Sequence, residues 1–184
     1  EGKSSLVGAG LVPRLKRAGG LDGREVVRSF AFKPGSLMGE GGPFQALAER
    51  LLGRTGDPGL PEFGDGVYAD PARLAKLVSG EPDAAVAQFE TAQLAFAKKL
   101  GEGRDGPPPD VGLILVVDQL EEAFGWDDAD AARLFALMAA LARTPGIIVL
   151  SSLRADYYGA LQDAPALRAL KDDGAVLDLV GPTE

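Results

Sequence analysis

A chain of 184 residues with 19 Lys and Arg against 27 Asp and Glu has a formal net charge of −8, and it contains neither Cys nor His. Zinc sites built from Cys and His, thiol nucleophiles, disulfide frameworks and histidine bases are thereby excluded, so carboxylates, Lys, Arg, hydroxyls or a bound metal must carry any catalysis. The acidic balance argues against a nucleic-acid partner, and apolar runs such as 112–117 are far short of the ~20 residues of a membrane-spanning helix.

Residues 4–16 carry Leu6, Val7, Leu11 and Leu15 at helical spacing, and Gly10 and Pro13 predict a kink or an early end near Val12. The basic trio Arg14, Lys16 and Arg17 reads as a solvated helix end matched to the helix dipole. Glu25 to Phe32 is rich in β-branched and aromatic residues and predicts a strand, followed by a helix over 43–52. Gly53 to Ala69 holds five Gly and two Pro and reads as a surface loop or insertion. Asp70 is placed to cap a helix that opens on Pro71, and a longer helix is expected over 83–100. Gly101 to Asp110, with three consecutive prolines, reads as a linker.

Val111 to Asp118 is a continuous aliphatic run that ends on an acid, the pattern of a strand buried on both faces of a parallel sheet. A helix over 127–142, a second apolar strand at Ile147 to Ser151, a short helix near 163–170 and a last strand near 175–180 complete the chain. The strand, helix and strand of 111–151 make a right-handed βαβ unit, and the alternation gives an α/β protein with a mostly parallel sheet. One domain spanning 1–184 is expected, with 53–106 as a loop and helical insertion that carries no recognised motif. There is no initiator Met and no signal-like start, so this stretch reads as part of a longer chain. The lack of Cys fits a reducing compartment, and a cytoplasmic location is expected.

Three motifs carry chemistry. Gly2-Lys3-Ser4, opening a helix, matches the second half of a phosphate-binding GxxxxGK(S/T) loop. Gly lets backbone N–H groups approach phosphate, Lys reaches the β- and γ-phosphates, and the Ser hydroxyl ligates Mg²⁺ at a helix N-terminus. The second motif is the buried strand ending in Asp118-Gln119-Leu120-Glu121-Glu122. It delivers acids to the C-terminal edge of the sheet, where open α/β folds bind ligands. Asp118 would hold Mg²⁺, directly or through water, and Glu121 or Glu122 would polarise the attacking water. The third motif is Ser151-Ser152-Leu153-Arg154, a polar residue and an Arg at the end of the next strand, placed to sense a γ-phosphate. Arg154 pairing with Asp156 or with the acidic cluster as a structural ion pair is the alternative. Phe124 and Trp126 read as core or interface aromatics.

Residues 2–15 (GKSSLVGAGLVPRL), 113–124 (LILVVDQLEEAF), 153–161 (LRADYYGAL) and 181–184 (GPTE) together resemble the NTPase module of STAND proteins. The likeness is strongest to a bacterial group often followed by β-propeller or other repeats. It implies a P-loop NTPase fold, a three-layer α/β/α sandwich whose first strand precedes residue 1, with the Asp118 strand and the Arg154 strand on either side of it. It also implies a slow signal-transduction ATPase that uses ATP and Mg²⁺ and self-associates through this module. An effector and a sensor domain would flank it. By resemblance, Gly2, Lys3, Ser4 and Ser5 bind nucleotide, Ser4 and Asp118 hold the metal, Glu121 and Glu122 support hydrolysis and Arg154 is the sensor arginine. Two other functions fit the same motifs: an AAA+-like remodelling motor and a degenerate, non-hydrolysing scaffold. No NKxD guanine-reading motif is present, which favours ATP over GTP.

Overall fold

The computed structural model describes residues 6–17 and 19–172. Gly2, Lys3, Ser4 and Ser5, and the strand expected at 175–180, lie outside the described residues. The fold is mixed α/β, with three parallel strands among the described residues: β1 (Val26–Phe32), β2 (Val111–Val117) and β3 (Ile147–Ser151), in the order β1-β2-β3. The helices are α1 (Val12–Leu15), α2 (Pro43–Leu51), α3 (Pro71–Val78), α4 (Pro82–Gly101), α5 (Asp128–Ala142), α6 (Tyr158–Asp163) and α7 (Pro165–Asp172).

Strand β2 is central and buried at every residue, as its unbroken aliphatic sequence requires. Leu113, Leu115 and Val117 face a large core built with Phe30 and Phe32 of β1 and with residues of α2, α4, α5 and α7. Ile114 and Val116 face the opposite side, where Val7, Val12, Leu15 and Leu21 cover them. Burying each such aliphatic side chain contributes about 1.5–3 kcal/mol. The crossover from β2 to β3 runs through α5, whose N-cap Asp127 accepts a hydrogen bond from the Ala129 N–H at 2.9 Å. Asp70 caps α3 in the same way, accepting from the Ala72 N–H at 2.9 Å. In both helices a carboxylate satisfies an N–H that the first turn leaves without a partner.

Three expectations are corrected and one is extended. The Asp118 strand and the Arg154 strand do not flank a third strand: β2 and β3 pair directly, from Leu113 with Ile147 to Val117 with Ser151. The βαβ unit places its two strands side by side, since α5 returns the chain to the adjacent position. The Gly-rich stretch 53–69 is exposed over 54–58 but is not surface loop throughout. It folds into two 3₁₀ turns, Pro61–Gly64 and Gly66–Ala69, and delivers Leu60 and fully buried Phe63 to the main core. Gly59 makes this fold-back possible. Its φ is +55°, and a Cβ there would lie 2.5 Å from the Gly53 nitrogen and 2.6 Å from the Leu51 oxygen. Near Val12 the helix does not end. A π-helical turn, Leu6–Leu11, runs into α1, because Pro13 has no N–H for the regular ladder and the wider turn absorbs the mismatch. Finally, the helix expected near 163–170 is α7, and a further short helix not expected from the sequence, α6, precedes it with Ala164 between the two.

Residues 53–106 are tied to the sheet by a buried ion pair. Arg28 of β1 donates from Nη1 to Glu62 Oε2 at 2.8 Å, with side-chain exposures of 14% and 6%. The same guanidinium lies over the Phe96 ring of α4, 3.8 Å from its centroid. One cation thereby joins β1, the first 3₁₀ turn and α4.

Candidate functional site

Parallel pairing brings the three strand ends level: Phe32 pairs with Val117, and Val117 with Ser151. The next residue of each chain segment, Lys33, Asp118 and Ser152, therefore forms a row across the C-terminal edge of the sheet. Backbone bonds hold the row in place. The Asp118 N–H donates to the Phe32 carbonyl at 2.9 Å, and the Ser152 N–H donates to the Val117 carbonyl at 3.1 Å.

Within the row Asp118 is the middle member. Its Oδ1 accepts the Ser152 hydroxyl at 2.6 Å, and its Oδ2 lies 3.3 Å from Lys33 Nζ. Ser152 is buried, and its hydroxyl oxygen accepts the Gln119 N–H at 2.8 Å. Gln119 has φ of 59°, a left-handed corner that turns the chain sharply off the end of β2 into the 3₁₀ helix Leu120–Gly125. Leu120 and Ala123 anchor that turn in the core.

The same turn presents both glutamates to the neighbouring strand ends. Glu122 Oε2 accepts the Gly35 N–H at 2.8 Å, and Glu121 Oε2 accepts the Arg154 N–H at 3.3 Å. Gly35 permits the first contact, since a Cβ there would lie 2.6 Å from Glu122 Oε2. Arg154 turns its guanidinium onto Asp156 in a two-point pair, Nε to Oδ1 at 3.2 Å and Nη2 to Oδ2 at 2.7 Å. That hydrogen bond first, and the Asp156 charge second, raise the arginine above its ordinary value, so it is cationic throughout the physiological range. Tyr157 lies beneath it, 5.7 Å from ring centroid to guanidinium carbon, and stacks in turn on Phe124 at 6.0 Å. Trp126 is a core residue, edge-on to Phe44.

Of the residues singled out in the sequence, Asp118, Glu121, Glu122 and Arg154 thus come together at one edge, while Gly2, Lys3, Ser4 and Ser5 lie outside the described residues. Among the described residues no three Asp or Glu side chains are grouped to hold a metal. A single strand-end carboxylate beside a hydroxyl fits Mg²⁺, which keeps several waters and takes its remaining oxygens from phosphates. Sequence reasoning missed Lys33. Its signal was a cation immediately after a strand, but only the register between β1 and β2 places it beside Asp118. No helix among the described residues is long and apolar enough to cross a membrane.

Comparison with curated proteins and with solved structures returns no match. A family model described as Novel STAND NTPase 1 matches residues 1–183. A buried parallel strand ending in an acid, with a hydroxyl and an arginine following the adjacent strand, is the arrangement expected of such a module, and this chain belongs to the STAND class of NTPases in that family.

Proposed function

We propose that residues 1–184 form one P-loop domain of three-layer α/β/α architecture, which binds and slowly hydrolyses ATP with Mg²⁺ as the switch of a multidomain signalling ATPase. ATP-dependent self-association of this domain would control an effector outside it, in the cytoplasm. The observation that carries this reading is the row of Lys33, Asp118 and Ser152 with Arg154 beside it, in a chain of the STAND family. Lys3 would hold phosphate, and Ser4 and Asp118 would hold the metal. Glu121 and Glu122 would polarise water, and Arg154 would exchange Asp156 for the γ-phosphate.

Glu122→Gln tests the catalytic assignment in the natural full-length protein. A glutamine oxygen still accepts the Gly35 N–H, so the contact that holds the turn is retained while the charge is lost. Hydrolysis is expected to fall by about 10²–10⁴ with ATP affinity changed only a few-fold, as befits a group acting in the transition state. Wild-type turnover in both Glu121→Gln and Glu122→Gln would reduce the acidic pair to a structural role.

Arg154 carries the link from nucleotide to assembly. Arg154→Ala is expected to keep ADP affinity within a few-fold, lose the preference for ATP and fail to form the ATP-dependent oligomer seen by light scattering. Arg154→Lys should rescue partly, since an ammonium lacks the planar fork. An alanine variant that still distinguishes ATP from ADP and assembles normally would leave only the Asp156 ion pair to explain this residue.

A further inference from the structure

Asp118, the acid read above as the metal holder, has a cation beside it. Lys33 Nζ is 3.3 Å from Asp118 Oδ2, on the side opposite the Ser152 hydroxyl that holds Oδ1. The lysine side chain is half exposed while that of Asp118 is 17% exposed, so the cation lies on the solvent side of the acid, where a ligand at the strand ends would arrive. Lys33 follows β1 directly, its backbone fixed by the strand behind it and by Pro34 ahead, while its four-carbon stem is free to swing.

We propose that Lys33 and the metal ion are alternative cations between the same two anions, the Asp118 carboxylate and the phosphates of the nucleotide. This rests on the reading of Asp118 as the metal-holding acid. In the empty site Lys33 neutralises Asp118. When nucleotide enters without metal, Lys33 bridges carboxylate and phosphate and prevents their direct repulsion. When metal enters with the nucleotide it takes the place next to Asp118, and Lys33 moves onto phosphate oxygen alone. Lys33 is thus a positioning residue that sets how strongly nucleotide binding depends on the metal. With the lysine half exposed, a single ion pair at 3.3 Å is weak enough to exchange partners readily.

The test is ATP affinity of the natural full-length protein by calorimetry, with excess Mg²⁺ and with excess EDTA, in wild type, Lys33→Met, Lys33→Arg and Asp118→Asn. Lys33→Met removes the cation at Asp118 Oδ2, so affinity in EDTA is expected to fall at least tenfold and affinity in Mg²⁺ about two-fold. The ratio of the two dissociation constants then rises about five-fold. Lys33→Arg keeps the cation and should hold the ratio near wild type, which a loss of local structure would not do. Asp118→Asn should collapse the ratio. If Asp118→Asn collapses it and Lys33→Met leaves it unchanged, the role of Lys33 is overturned while the reading of Asp118 stands. If Asp118→Asn leaves the ratio at the wild-type value, Asp118 does not hold the metal and the proposal falls with that reading.

Discussion

Glu62→Ala is expected to destabilise the fold by about 3–5 kcal/mol, the range for breaking a buried ion pair by removal of one partner. The loss comes less from the missing attraction than from what remains. Arg28 would stay between β1, the 3₁₀ turn Pro61–Gly64 and α4, with its Nη1 donor deprived of the carboxylate at 2.8 Å and only 14% of its side chain open to solvent. Domains of this size are stable by about 5–15 kcal/mol in total, so the variant would sit near the edge of folding. Urea unfolding of the chain measures the effect. Replacing both partners, Arg28→Met with Glu62→Leu, should recover most of the loss, because no charge is then left buried. A Glu62→Ala midpoint equal to that of wild type would mean that solvent reaches Arg28 as the turn opens, and that the turn is held by Leu60 and Phe63 alone.

Lys3→Ala should remove measurable ATP binding. In the phosphate-loop reading the ammonium contacts both the β- and the γ-phosphate, and two charge-assisted contacts at about 1.5–3 kcal/mol each correspond to a loss of about 10²–10⁴ in affinity. Calorimetry on the natural full-length protein gives the affinity, and a thermal melt without nucleotide separates lost binding from a lost fold. Equal affinity in variant and wild type would end the assignment of Gly2-Lys3-Ser4 as a phosphate loop.

What could be read from the sequence was what is decided locally. Asp70 announces its helix because a cap acts within three residues. Residues 111–117 announce a central strand because an apolar run bounded by Pro and an acid suits burial on both faces. Asp118, Glu121, Glu122 and Arg154 were found because strand ends are where such folds place polar chemistry. Lys33 was not, since its place beside Asp118 depends on the β1–β2 register, a pairing of residues far apart in the chain. Phe63 was hidden for a different reason: 3₁₀ turns a few residues long between glycines leave no periodic stripe to detect. Helix α6, six residues beginning Tyr158-Gly159, is likewise too short to show one.

The order of the strands also bears on how the chain folds. Strand β2 meets β3 after a loop closing Leu113 on Ile147, whereas its pairing with β1 closes Val26 on Val111. Those separations are 34 and 85 residues (147 − 113 and 111 − 26), and the logarithmic dependence of closure entropy makes the longer loop costlier by about 0.8 kcal/mol. Parallel pairing offers no hairpin to shorten either path. Until β1 arrives, one edge of VGLILVV, seven residues without a charge, is open to any other strand, which makes a second unfolded chain the natural competitor of β1 at high concentration. Lys33 at the end of β1 and Asp118 at the end of β2 have opposite charges, which favours the in-register pairing of β1 over a second copy of β2 that would bring two aspartates together.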